Sequence, residues 1–273
     1  MPVMTATRRA ARKAGDNDVF EAFVRAGLVG YGIVHLAIAW LAIQLATGRP
    51  AAEGDQSGAF RVLVEQPLGQ LLVWAIAVGL LTMAVWQLLE GAFGHQSERP
   101  RRRMVERFVS LCRTVVYAAF AWTAYTVVSG TPASSASQQQ QATSGALGWP
   151  GGPWLVGLIG IAVTATGLVI TGYGATKGFK RRLNRSQMRR RTQTTAIATG
   201  QFGYVVKRLA YAIAGVLLVV AAATFDPGRS TGLDGALRTL AAQPFGEIAL
   251  LITALGFAAF GVFCFFQSRY RKI

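Results

Sequence analysis

His35 sits inside an apolar run, 27–46, that is long enough to cross a bilayer. An ionisable side chain at that depth is a functional-site hypothesis by default, because it is costly to bury without a partner. An imidazole there could relay a proton or ligate a metal. No second His or Cys stands at a ligand spacing, and His95 falls in a loop between runs. The expected state is therefore a neutral structural ring, with no metal and no cofactor. The matching positions in two later runs are Tyr117 and Tyr211. That series predicts a polar-aromatic slot accepting one hydrogen-bond partner. Gln44 and Gln87 add sparse polar groups, and no ionisable side chain other than His35 is expected near mid-membrane.

Other polar residues collect at the ends of the runs. Arg61 and Arg238 each precede a Gln-Pro pair, with Gln66 and Gln243 as the glutamines. They could ring a mouth and attract an anion, or reach lipid phosphates from an interfacial helix, which is the preferred expectation. Glu90, Arg25, Arg113 and Arg208 cluster at the opposite ends, where Glu90 could pair with Arg25 or Arg113. Cys112 and Cys264 lack a CxxC spacing and are expected as free thiols packed as small hydrophobes. No GxSxG, HExxH, phosphate loop or pair of cleft carboxylates is present, so no enzyme is expected.

The elements that must position these groups follow from composition. Of 273 residues, 52% are hydrophobic and 15% charged, with a mean hydropathy of +0.37. Six apolar runs span 27–46, 68–90, 108–129, 153–174, 204–224 and 246–266. Each matches the roughly 20 residues that cross a hydrocarbon core. A helix satisfies its backbone polar groups within its own segment, so an all-α polytopic membrane protein with six transmembrane helices is predicted. The first run is full length and follows Asp16, Asp18 and Glu21, which predicts a retained anchor rather than a cleaved signal.

Charge gives the orientation. Lys and Arg number four in the arm 1–22, five in the link 91–107, eight in 175–203 and three in the tail, against four in the three alternate loops. Both termini are then expected in the cytoplasm of a bacterial plasma membrane. The net charge of +16 points to anionic headgroups rather than nucleic acid, since no groove-reading motif accompanies it. In the 175–203 link, Phe179 and Leu183 fall on one helical face, which predicts a surface-lying basic helix or a dock for an acidic partner.

Self-similarity is the strongest signal. GAFRVLVEQPLG at 58–69 returns as GALRTLAAQPFG at 235–246, a shift of 177 residues with seven of twelve positions identical. Ser57 and Asp234 precede the two copies as expected N-caps. In the middle copy only Ser144-Gly145-Ala146-Leu147 matches, before GWPGGPW. Most of a short helix is therefore expected to be missing there, and the Ser/Gln-rich stretch 134–144 to break the pattern. Ala39-Trp40-Leu41-Ala42 matches Ala121-Trp122-Thr123-Ala124 at a shift of 82, and Gly27 matches Gly203 at 176. Three two-helix hairpins are predicted at 23–94, 105–178 and 200–268, all inserted the same way up in a pseudo-threefold ring. Glycines and Thr164 at 157, 160, 164, 167, 256 and 261 predict close helix contacts. Trp149 and Trp154 suit an aromatic belt.

The three hairpins, the G-A-[FL]-R-x-L-x-x-Q-P-[FL]-G element and the helix openings Gly27–Tyr31 and Gly203–Tyr204 together resemble a known bacterial, mainly actinobacterial, membrane protein family. Its members carry a thrice-repeated two-transmembrane-helix domain of unknown function. The resemblance implies membrane residence and no established activity. Mitochondrial carriers also have three hairpins, but their proline motif is absent from the odd helices here. Two functional expectations stand. One is a non-catalytic structural or accessory component of a membrane assembly, with other membrane proteins as partners. The other is a small channel or transporter with a central passage between the hairpins.

Overall fold

The structure is a computed structural model that describes residues 18–49, 52–93, 100–131 and 134–270. Most of the arm 1–22, His95 and the basic tail beyond 270 lie outside the described residues. Nine α-helices are described: α1 Asp18–Ala46, α2 Gln56–Val64, α3 Gly69–Phe93, α4 Pro100–Val128, α5 Ser135–Leu147, α6 Gly152–Ala175, α7 Arg190–Thr224, α8 Gly232–Ala241 and α9 Gly246–Tyr270. Six of them, α1, α3, α4, α6, α7 and α9, are long and apolar enough to span a membrane. The protein is an all-helical, multi-pass membrane protein of three repeated two-helix units. α2, α5 and α8 are the short helices between the two long helices of each unit.

The long helices pair mainly across the repeat boundaries. α3 packs on α4, α6 on α7, and α9 returns to pack on α1. Each seam joins the second helix of one unit to the first helix of the next, and the last joins the third unit to the first. Small residues make these seams possible. A methyl added at Gly32 would meet the Gly261 carbonyl oxygen at 2.9 Å, and one at Gly261 would meet the Gly32 oxygen at 2.8 Å. In the α6–α7 seam, an added methyl at Gly160 would meet the Val219 nitrogen at 2.8 Å, and one at Gly167 the Arg208 carbonyl oxygen at 3.0 Å. Lipid supplies no hydrophobic drive between helices, so close van der Waals contact must hold them.

One end of the bundle is capped by α2, α5 and α8. The other carries the arginine-rich links. The turn joining each short helix to its return helix is the same in all three units. Gly69 N donates to Gln66 O at 2.9 Å, Gly152 N to Trp149 O at 2.8 Å, and Gly246 N to Gln243 O at 2.8 Å. A Cβ at any of these glycines would collide with a carbonyl oxygen of the short helix, on Leu63, Ala146 or Ala241 respectively. The Q-P-x-G signature is therefore the requirement of a backbone that folds tightly onto itself. This register corrects the expectation for the middle unit. The short helix is present as α5, and GWPGG at 148–152 is the counterpart of EQPLG. Ser144–Leu147 is the end of that helix, not its opening. Ser134 caps it by accepting from Ser137 N at 2.9 Å. Glutamines then carry it, since their straight chains lose little freedom in a helix.

Two more expectations change. Asp55, not Ser57, is the N-cap of α2, and α8 begins at Gly232, so Asp234 lies within its first turn. The 175–203 link is not a surface-lying helix. It folds as two 3₁₀ turns, Gly178–Arg182 and Arg185–Gln187, before α7 begins at Arg190. Phe179 and Leu183 are buried against Phe260, Phe263 and Cys264 of α9. Asn184 N donates to Tyr270 O at 2.7 Å and ties the link to the end of α9.

Candidate functional site

Lys207 is the residue that the sequence reading missed. It lies on α7 about 26 Å along the axis from the cap end of that helix, by the helical rise per residue. It is only 2% exposed. Its Nζ donates to the Tyr31 hydroxyl at 2.6 Å. The same ammonium stands 3.9 Å from the Phe260 ring centre and 4.6 Å from that of Tyr31, close enough for cation–π attraction. Tyr31 and Lys207 correspond at the repeat shift of 176. Positions that a threefold rotation exchanges can touch only near its axis, so this contact marks where the axis runs. The same rule, at a shift of 82, gives Arg113 as the third position. That series Tyr31, Arg113, Lys207 was the available sequence signal. It was masked because Lys207 sits near the basic end of its run, where a lysine normally reaches for the headgroups.

His35 lies one turn further toward the cap and is 1% exposed. Its Nδ1 is 2.7 Å from the Tyr31 carbonyl oxygen, so this nitrogen carries the hydrogen. Nε2 is buried with no partner among the described residues. The ring packs on Tyr31 at 4.3 Å and Phe260 at 4.9 Å between centres. Tyr211 takes a hydrogen bond at its hydroxyl from Gln56 Nε2 at 2.7 Å, which links the buried group to the cap. Tyr117 does not join them. It is half-buried on α4, which packs chiefly on α2 and α3.

The inward stripes change character along their length. On α1, Ala42, Ile38 and Val34 are buried, while Tyr31 is 45% exposed and Gly27 is exposed with open space around it. These positions share one face at helical spacing. On α4, Val128, Ala124 and Ala121 are buried, Tyr117 is half-buried and Arg113 is exposed. Ala124, Val127, Val128, Ile38, Phe60 and Phe257 form one core cluster that seals the cap half. On the third unit, Gly203, the match of Gly27, packs on Phe260 of α9, and Gly200 one turn away lies against Phe179 of the 178–187 link and Phe263.

The cap holds the second polar cluster. Glu53, Asp55 and Asp234 gather where the N-termini of α2, α5 and α8 meet. Asp55 Oδ1 accepts from Ser57 N at 2.8 Å and Gly58 N at 3.3 Å. The Ser57 hydroxyl lies 2.6 Å from Asp55 Oδ1 and 2.7 Å from Glu53 Oε2. Ser57 Oγ also accepts from Ser135 N at 3.3 Å. Asp234 Oδ1 accepts from Gly54 N at 2.8 Å, and Asp234 Oδ2 from Arg238 Nε at 2.7 Å. Three positive helix ends thus converge on three carboxylates. Burial, with the Glu53 charge as a further cause, pushes the Asp55 carboxyl up to about 6. The Asp234 hydrogen bond raises the Arg238 guanidinium still further.

The remaining candidates are placed apart. Arg238 is exposed and held by Asp234, Arg61 is half-buried on α2, and Gln66 and Gln243 are exposed in their turns. The Glu90 side chain lies outside the described residues. Cys264 is buried, but Cys112 is exposed on α4, so only one thiol packs as a core residue.

Comparison with known proteins agrees with this architecture. The model of a family described as a domain of unknown function, DUF1206, matches three times, at residues 26–94, 108–177 and 202–271. An uncharacterized protein of Bacillus subtilis (strain 168), YxxB, is 31% identical over 254 residues, covering 92% of this chain and 91% of that protein. No solved structure matches. The chain belongs to the DUF1206 family, as a membrane protein carrying three copies of its two-helix domain.

Proposed function

We propose that the protein is a small channel or transporter of the plasma membrane, with its arginine-rich end in the cytoplasm and its passage along the pseudo-threefold axis. One observation carries this reading. The inward stripes of α1 and α4 are exposed at the basic end, at Gly27, Tyr31 and Arg113, and buried at the cap end, at Ile38 and Ala124. That is the shape of a vestibule open to one side and closed to the other. A buried lysine beside the axis fits it, because ionisable groups inside membrane proteins mark solute and ion paths. The excess of Lys and Arg at that end supports the cytoplasmic placement. Parallel repeats with a site between them suit a passage that opens to alternate sides.

A non-catalytic supporting role draws on a different observation, the dry setting of His35 and the internal hydrogen bond of Tyr211. Stopped-flow light scattering separates the two. Proteoliposomes holding the purified chain are shocked with potassium chloride, potassium nitrate, potassium acetate or glycerol, with valinomycin present for the salts. Transport predicts faster volume recovery than in empty liposomes for at least one solute. Recovery equal to empty liposomes for all four would leave the supporting role.

A further inference from the structure

We infer that the closed end of the vestibule is a binding site for a small, singly charged anion, held by the Lys207 ammonium and the Tyr31 hydroxyl. This substrate class rests on the vestibule proposed above.

The first support is an imbalance of charge. Apart from Tyr31, the groups that act electrostatically on Lys207 are Arg208 and Cys264. Those that act on His35 are Lys207 and Arg208. No carboxylate is among them. Lys207 is thus buried next to half-buried Arg208, with no carboxylate acting on it among the described residues, which is unfavourable for the charged form unless an anion arrives. Arg113 adds a further positive side chain on the exposed part of the α4 stripe.

The second support is unfilled hydrogen-bonding capacity. An ammonium has three donors, and the Tyr31 oxygen is the described acceptor for Lys207. Tyr31 accepts that bond, so its own O–H remains to be given, and it has no acceptor among the described residues. Tyr31 is half-exposed as a residue, while its hydroxyl lies in buried surroundings against Lys207. That hydroxyl can donate to an anion that reaches the lysine. His35 Nε2 and Arg208 Nε are buried without partners beside this group.

The third support concerns size. Aromatic rings at 3.9 Å and 4.6 Å crowd the ammonium. That crowding limits the ligand to the size of a halide, nitrate or short carboxylate and rules against a bulky sugar acid. A cation would meet Lys207 and Arg208 as like charges.

The test is thermal unfolding of the full chain in detergent, followed by tryptophan fluorescence. Chloride, nitrate and acetate are titrated against gluconate at constant ionic strength. A saturable stabilisation by at least one of the three is expected. Tyr31→Phe and Lys207→Met should weaken its apparent affinity more than 10-fold, while Arg190→Gln at the exposed start of α7 leaves it unchanged. Tyr31→Phe keeps the ring, so the test survives if Lys207→Met does not fold. The inference is overturned if no small anion outdoes gluconate, if both site variants bind as the parent does, or if only added phosphatidylglycerol stabilises. Liposome flux without any anion-dependent stabilisation would remove the anion and keep transport. Saturable binding without flux would keep the site and remove transport.

Discussion

Asp55 has its carboxylate oxygen Oδ1 filled by hydrogen bonds, while Oδ2 is buried with no partner. Its carboxyl is pushed up to about 6 in the folded protein, against an ordinary value of about 3.9 in an unfolded chain. The native state therefore binds more protons than the unfolded state between those two values. Stability falls as pH rises through that window, and the full penalty is present above it. Asn caps a helix as well as Asp does. Asp55→Asn should accordingly raise unfolding stability by about 1–3 kcal/mol at pH 7.5. The gain should shrink toward zero near pH 4, and melting curves across pH in one detergent check both parts. Residue-scale legibility was uneven. His35 stood out because nothing polar surrounds it in sequence, and its burial followed. Lys207 did not, since a lysine in the first turn of a run normally bends back to water. Only its pairing with Tyr31 across 176 residues reveals where it points.

The Q-P-x-G turns are the clearest case of an element dictated by backbone geometry. Gly69→Ala and Gly246→Ala should each cost about 2 kcal/mol or more, because the added methyl strikes a carbonyl oxygen that cannot move without unwinding the short helix. Gly79→Ala is the control. Its added methyl meets nothing within 4 Å, so it should be neutral or stabilising by up to about 1 kcal/mol through helix propensity. Thermal midpoints of the three variants decide it. The six long helices were legible because a bilayer demands length and apolarity together, and both show in composition. α5 was not legible. Its helix is built of Ser and Gln, so it carries no apolar period, and the GAL at 145–147 imitated the opening of α2 while lying at the end of its own helix. The 178–187 link misled in a similar way. Phe179 and Leu183 do share a buried face, but what they meet is α9 rather than lipid.

For the whole molecule, the three units join through seams between them, and the proposed passage is sealed at the cap and opens toward the basic end. Repeat symmetry made the three units readable from sequence, whereas the unequal exposure of their matching faces was not. That inequality comes from what covers each face: Phe260 of α9 at Gly203 on the third unit, and open space at Gly27 on the first. Exposure to water, as distinct from lipid, is the central claim. It is tested by replacing Cys112 and Cys264 with Ala, introducing single cysteines, and treating sealed vesicles with a charged, membrane-impermeant methanethiosulfonate from either side. Such a reagent modifies thiols in water and spares those in hydrocarbon. The account predicts that Gly27→Cys and Arg113→Cys react only from the side that holds the 175–203 link, and that Ile38→Cys and Ala124→Cys react from neither. Inert cysteines at 27 and 113, or a reactive one at 124, would contradict it.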